Sequence, residues 1–292
     1  MRVGIFGKKF DKQNEAVVTE LFFRLQQANI GYCVNEAFYP LIKKILPLPD
    51  HTETFPSNQP IKNNIDFLFS IGGDGTLLET VSMVRGSGIP IIGINTGRLG
   101  FLSSVSENEI SLVIDSIKQQ NYSLDSRTLI SLNTANDLFG SLNFGLNEFT
   151  ILKKDTSSMI SIHSYLNGQF LNSYWADGLI VSTPTGSTAY SLSCGGPIVE
   201  PDCANFIVTP IAPHNLNVRP IIISDKDVLT LKVEGRHKSF LVSLDSRSES
   251  IDSSIEMIVK KAPFTINLLR LPNQNFHDTL RKKLMWGVDR RN

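Results

Sequence analysis

The chain has 292 residues, enough for about two domains or one large α/β unit with additions. Apolar residues make up 41 % and charged residues 19 %, with 28 basic against 28 acidic side chains; disorder is excluded, and the zero formal charge gives no footprint for nucleic acid. No apolar stretch approaches the roughly 20 residues of a membrane span, and the opening MRVGIFGKKF is charged too early for a signal peptide. Cys33, Cys194 and Cys203 lack CxxC spacing and fit reduced thiols, so the expectation is a cytoplasmic protein that binds neither membrane nor nucleic acid. The histidines form no HxxxH or HExxH pair, and no metal site built by protein alone is visible.

From the start to about residue 102, short apolar runs alternate with helix-like stretches, the pattern of a doubly wound parallel sheet. Residues 3–6 read as a strand; Val17, Leu21, Leu25 and Ala28 follow on one helical face, Gly31 ends that helix, and residues 32–34 resume as a strand. A helical stretch over 41–45 stops at Pro47, and the polar run 48–64, with Pro49, Pro56 and Pro60, reads as a surface loop. The apolar strand 65–71 runs straight into Gly72-Gly73-Asp74-Gly75-Thr76, after which Leu77, Val81 and Val84 mark a helix, and 89–94 is the next strand. Ser106 and Glu109 form a capping box for a helix that buries Ile110, Val113, Ile114 and Ile117. Beyond Asn121 the texture changes, and residues 122–270, in short alternating runs separated by Asn, Asp, Gly and Ser, read as mostly antiparallel β-structure. Residues 276–286 read as a short helix whose Arg281, Lys282 and Lys283 suit a solvated face.

The densest local signal is strand, glycine turn, helix. Gly72, Gly73 and Gly75, with Thr76, allow backbone N–H groups to approach a phosphate at the positive end of the following helix. The spacing is neither a Walker loop nor GxGxxG. A purely structural turn would tolerate Asp74, but an acid beside a phosphate otherwise needs a cation or a reacting hydroxyl between them, which points to phosphoryl transfer with Mg²⁺. A second region, from Asp177-Gly178 through STPTGSTAYSLSCGGP (182–197), holds too many hydroxyls and glycines for a good core; it suits either a wall for a sugar-bearing ligand or a long solvated loop. Between them lie Asn95-Thr96-Gly97-Arg98-Leu99-Gly100-Phe101 and the Asn147-Glu148 pair, which is either satisfied across strands or faces a ligand.

In chain order, GGDGT (72–76), NTGRLGFL (95–102), the NE pair, DGLIVSTPTGSTAYSLSCGGPIV (177–199) and APHNLNVRP (212–220) resemble the NAD kinase family. GGDGT is shared with lipid kinases and phosphofructokinases, whereas TPTGSTAYSLSxGGP is not a lipid-kinase pattern. The resemblance implies ATP-dependent phosphorylation of the adenosine-ribose 2′-hydroxyl of NAD, giving NADP, with Mg²⁺ accompanying ATP. It implies an N-terminal α/β domain (1–103, rejoined by a tail at about 271–292), a β-rich, sandwich-like domain (104–270), an active site between them, and a homodimer or homotetramer. Asp74 matches the family's proposed proton acceptor and Gly75 a backbone contact to the dinucleotide. Asn147 and Glu148 match the pair on adenine and ribose, and Asp177 an acid of the NAD pocket. Thr188, Ala189, Tyr190, Ser191, Leu192 and Ser193 match the segment around the adenosine, and Ala212 the main chain at the nicotinamide end.

This sequence departs from the family in two places. Trp175 stands where many relatives carry Arg; it either stacks on a flat ligand ring or packs at a domain edge. Leu244-Asp245-Ser246-Arg247 lacks the glycine usual after Asp, and Arg247 is a candidate to supply the missing positive charge. The rival readings are a lipid kinase, a non-catalytic dinucleotide sensor and an NAD-using dehydrogenase; the last lacks its GxGxxG fingerprint.

Overall fold

The structure, a computed structural model, describes residues 1–8, 14–57, 59–61, 64–97, 99–154, 158–236, 239–272 and 274–287. It divides into two compact units, Met1–Ser126 with Ile266–Asn292, and Arg127–Thr265.

In the first unit the parallel strands β1 (Arg2–Gly7), β2 (Gly31–Asn35), β3 (Thr54–Phe55), β4 (Phe67–Ile71) and β5 (Ile91–Ile94) lie in the order β3-β2-β1-β4-β5. Strands β4 and β5 are buried along their whole length, as strands covered on both faces must be. Among the described residues, the α-helices of this unit's N-terminal part are α1 (Glu15–Gln27), α2 (Tyr39–Ile42), α3 (Asp74–Val84) and α4 (Ile110–Gln119). Val18, Leu21 and Leu25 of α1 share a core with Val113, Ile114 and Ile117 of α4. The compact unit therefore continues through residue 126, beyond the 103 expected from sequence.

Two local readings are corrected. Helix α1 ends where Asn29 turns left-handed (φ 53°), a conformation Asn tolerates, while the expected stop, Gly31, opens β2. The run read as loop, 48–64, contains β3, which pairs with β2 through Val34↔Thr54 and Asn35↔Phe55. The capping box of Ser106 and Glu109 is formed, on a first turn that is a 3₁₀ helix.

Strand β6 (Ser123–Asn133) leads into the second unit, followed by β7 (Phe144–Gly145), β8 (Glu148–Lys153), β9 (Ile160–Leu166), β10 (Gln169–Ala176) and β11 (Gly178–Ser182). A short helix α5 (Tyr190–Ser193) precedes β12 (Asn205–Ile211), β13 (Ile221–Ser224), β14 (Leu229–Glu234), β15 (Ser239–Leu244), β16 (Arg247–Asp252) and β17 (Met257–Arg270). One antiparallel sheet runs β13-β12-β11-β8-β15-β16, and a second pairs β10, β9, β14 and the start of β17. In β14, Leu229, Leu231 and Val233 turn inward and meet Phe149, Val181, Val208 and Phe240 of the other sheet in one core, a sandwich built on period-two alternation. Each large apolar side chain so buried contributes about 1.5–3 kcal/mol.

The far end of β17 belongs to the first unit, where Leu268 pairs in parallel with Ile91. There the last helix, α6 (Phe276–Leu284), starts at Asn275, whose side chain accepts the Asp278 N–H at 2.8 Å, and buries Leu280. The architecture is thus a Rossmann-like α/β unit and a β-rich unit.

Candidate active site

In the first unit the strand order reverses between β1 and β4, and open α/β sheets take ligands at the carboxyl ends of the strands beside such a reversal. Strand β4 delivers GGDGT there. Gly72 has φ +149°, and a Cβ on it would stand 2.4 Å from Thr76 Oγ1, so only glycine fits. A Cβ on Gly73 or Gly75 would meet nothing within 4 Å, which leaves open space over the loop. The N–H groups of Thr76 and Leu77 return to the Gly73 carbonyl at 3.0 and 3.2 Å. Those of Asp74 and Gly75 remain at the mouth of α3, where the helix dipole favours an anion.

Asp74 is held by the third sequence signal, the loop after β5. Its Oδ2 accepts the Phe101 N–H at 2.8 Å, and its Oδ1 accepts those of Leu102 and Ser103 at 3.0 and 2.9 Å. Two carboxylate oxygens offer about four acceptor positions, so one, on Oδ2, remains for a ligand hydroxyl. Gly100 has no side chain because Asp74 occupies its place: a Cβ there would lie 1.9 Å from Asp74 Oδ1. Asn95, buried, accepts the Gly97 N–H at 2.6 Å and shapes the start of this loop. Arg98 lies outside the described residues.

In the second unit the junction between the turn and β8 carries Asn147 and Glu148. It is moored by Asp245, which the sequence reading did not single out as functional. Asp245 Oδ2 accepts the Leu146 N–H at 2.8 Å, and Oδ1 accepts those of Asn147 at 2.8 Å and Glu148 at 3.2 Å. Burial pushes the Asp245 carboxyl up, against those three N–H donors and the nearby Arg247 cation. Glu148 is pushed up to about 8, first by burial and then by the Asp245 carboxylate, while the Tyr190 N–H works the other way. Glu148 Oε2 is buried without a hydrogen-bond partner among the described residues. Burial thus favours the protonated form of this carboxyl, which can donate a hydrogen bond.

The hydroxyl-rich segment is partly buried and partly exposed. Thr183 Oγ1 donates to the Leu146 carbonyl and accepts the Gly186 N–H; Ser187 Oγ donates to the Val199 carbonyl and accepts its N–H; Ser191 Oγ bonds Thr209 Oγ1. These hydroxyls are buried and each finds a partner nearby, so this part of the segment makes a satisfied core, while Ser182 Oγ is buried without a partner among the described residues. Ser191 thus faces inward, whereas Thr188, Ala189, Tyr190, Leu192 and Ser193 remain at least partly exposed. Gly186 lets the segment lie against the Asn147 turn, since a Cβ there would stand 2.1 Å from the Asn147 carbonyl oxygen. Burial chiefly, and then the charges of Cys194, Glu148 and Asp177, push the Tyr190 phenol up. Asp177 is paired with Lys153 at 2.6 Å.

Trp175 is exposed on β10, with its ring 4.5 Å from that of His214 and tilted by 59°. Ala212 takes a left-handed φ of 44°, a strained conformation for a side-chain-bearing residue at an exposed position. Arg247 does not supply a free charge. Its guanidinium donates to the carbonyls of Leu142 and Phe144 and lies over the Phe144 ring, which commits it to holding β7.

Among the described residues no group of three or more His, Cys, Asp or Glu side chains could hold a metal ion, and no helix is long and apolar enough to cross a membrane.

Two family models match this chain: the ATP-NAD kinase N-terminal domain over residues 3–122 and the ATP-NAD kinase C-terminal domain over 146–271. The chain belongs to the NAD kinase family. It is 49 % identical over 293 residues to the NAD kinase of Cytophaga hutchinsonii and 45 % identical over 294 residues to that of Flavobacterium psychrophilum, each covering 100 % of both chains. Among solved structures, yeast NADH kinase complexed with NADH superposes with a TM-score of 0.87 at 24 % identity, covering 99 % of this chain and 89 % of that one. An NAD kinase from Archaeoglobus fulgidus in complex with ATP gives a TM-score of 0.73 at 25 % identity, covering 97 % and 99 %. Like its family, the chain is a phosphotransferase, and the lipid-kinase, sensor and dehydrogenase readings find no support in these matches.

Proposed function

We propose that the chain transfers the γ-phosphoryl group of ATP to the 2′-hydroxyl of the adenosine ribose of NAD, with Asp74 as proton acceptor. The observation that carries this reading is the anchoring of Asp74 at the mouth of α3 by three backbone N–H groups, with one acceptor position left over. The 2′-oxygen forms a bond to the γ-phosphorus as the bridging P–O bond to ADP breaks, and the hydroxyl proton passes to Asp74 Oδ2. A ribose hydroxyl is far too weak an acid for a carboxylate to ionise beforehand, so the proton moves late, as the loose transition state develops. Three N–H donors hold Asp74 in place, and position is what it offers.

Gly72, Gly73, Gly75 and Thr76 form the phosphate cradle in this reading, supported by the open space over Gly73 and Gly75. Asn147 and Glu148 take adenine and ribose groups, the neutral Glu148 acting as donor, and Asp177 and the exposed face of 188–193 complete the adenosine wall. Trp175 offers a ring face and Ala212 its exposed main chain toward the nicotinamide end.

No group of three or more His, Cys, Asp or Glu side chains among the described residues could hold a metal ion, so a divalent ion would be carried by the nucleotide's own phosphates. Such an ion supplies charge neutralisation on the phosphates. Self-association into a homodimer or homotetramer is supported by the apolar edge strand β13, where Ile221 and Ile222 are exposed. A cytoplasmic setting is supported by three cysteines that stay free thiols.

The test is an end-point assay with NAD, ATP and Mg²⁺, reading NADP through a strictly NADP-dependent dehydrogenase, with omission of each component in turn. NADP only in the complete mixture supports the reading; no NADP while NAD still binds calorimetrically contradicts it.

A further inference from the structure

The three cations of α6 do not share one environment. Arg281 pairs with Asp278 on its own helix, and Lys282 is exposed. Lys283 instead reaches the Asp74 loop: its Nζ stands 3.7 Å from Asp74 Oδ2 and 4.8 Å from the centroid of the Phe101 ring. Phe101 thus holds both partners, donating its N–H to Asp74 and offering its ring face to the ammonium.

The separation of 3.7 Å is too long for a hydrogen bond, so the ammonium lies beside the carboxylate without donating to it. Its three N–H donors are thereby available to an anion next to Asp74. Both side chains are partly exposed, Lys283 at 33 % and Asp74 at 28 %, so a ligand can reach them. A carboxylate next to a phosphoryl group is repulsive unless a cation offsets it, and Lys283 is a cation beside Asp74 among the described residues.

We propose that Lys283 is a phosphoryl-binding residue: its ammonium engages the equatorial oxygens of the group in transfer while Asp74 takes the proton. The proposal rests on the kinase reading above. Charge on those oxygens shifts during transfer, so a fixed cation at this point stabilises the transition state more than it binds either substrate. The C-terminal helix is then part of the catalytic apparatus as well as of the fold.

The experiment compares full-length wild type, Lys283→Met, Lys283→Arg and Lys282→Met in steady-state NADP formation, with NAD affinity by calorimetry and thermal midpoints alongside. Lys283→Met is expected to lose about 100-fold in kcat, with NAD affinity within about threefold of wild type and an unchanged midpoint. Lys283→Arg should recover part of that loss, and Lys282→Met should match wild type. A kcat for Lys283→Met within about threefold of wild type overturns the proposal. So does a loss that Lys283→Arg fails to relieve, or one that Lys282→Met shares. An inactive wild type overturns the kinase reading itself, and the proposal with it.

Discussion

Gly100 stands so close to Asp74 that a Cβ on the glycine would lie 1.9 Å from the carboxylate Oδ1. The loop after β5 and the first turn of α3 are fitted to each other at this point, and three N–H bonds from 101–103 to Asp74 follow from the fit. Gly100→Ala must therefore displace the carboxylate. A displacement near 1 Å costs about 100-fold in turnover, so kcat should fall by that order while the protein still folds, as circular dichroism will show.

Gly75 makes the opposite case, because nothing stands within 4 Å of its absent side chain. As a helical residue of α3, its replacement by Ala should stabilise the fold by about 0.5–1 kcal/mol. If the space over it admits a phosphate, the same substitution should raise the KM for ATP at least several-fold. A variant that melts higher and works worse is the expected outcome of paired thermal and kinetic measurements.

Much of the first unit is legible in the sequence because β4 and β5 are apolar runs and α1, α3 and α4 carry apolar residues at helical spacing, whereas β3 lies within a polar run. Asp74, the glycine cradle and the capping box of Ser106 and Glu109 are local signals and could be read locally. The partners that hold the site could not. Asp245 is 97 residues from Glu148, and Lys283 arrives on α6, about 200 residues beyond Asp74; neither sits in a local motif that points to its target. The run 182–197 misleads for a related reason: composition shows how many hydroxyls it has, while only the fold shows that Ser187 and Ser191 are satisfied internally.

Asp245→Ala should reveal the mooring of the Asn147-Glu148 turn. It leaves three backbone N–H groups without their acceptor, each worth about 1–3 kcal/mol if it stays buried and unpaired. A marked drop in unfolding free energy and a raised KM for NAD are expected, with the KM for ATP changed less. Asp245→Asn keeps one acceptor oxygen and should fall between this variant and wild type.

Glu148 carries a pH dependence whose sign is fixed. Its folded-state value of about 8 lies above the ordinary 4.5, so between those pH values the native state binds a proton that the unfolded chain has released. This group's share of stability is complete below about 4.5 and is lost as pH rises through about 8. Glu148→Gln mimics the neutral acid at every pH. From pH 6 to pH 9 the wild-type melting temperature should fall relative to that of Glu148→Gln, and the gap should close toward acid pH. Parallel melting curves across that range would remove the neutral-donor role of Glu148.

The proton-accepting role of Asp74 is tested most directly by Asp74→Asn in a single-turnover experiment, with NAD affinity measured on the same preparation. Asn keeps Oδ1 for the N–H groups of Leu102 and Ser103 and turns an NH₂ toward Phe101, so most of the loop's anchoring survives. NAD should bind within about threefold of wild type while NADP formation falls by at least about 1,000-fold. Turnover within tenfold of wild type, with binding intact, would contradict the assignment and leave Asp74 as the anchor of residues 101–103 alone.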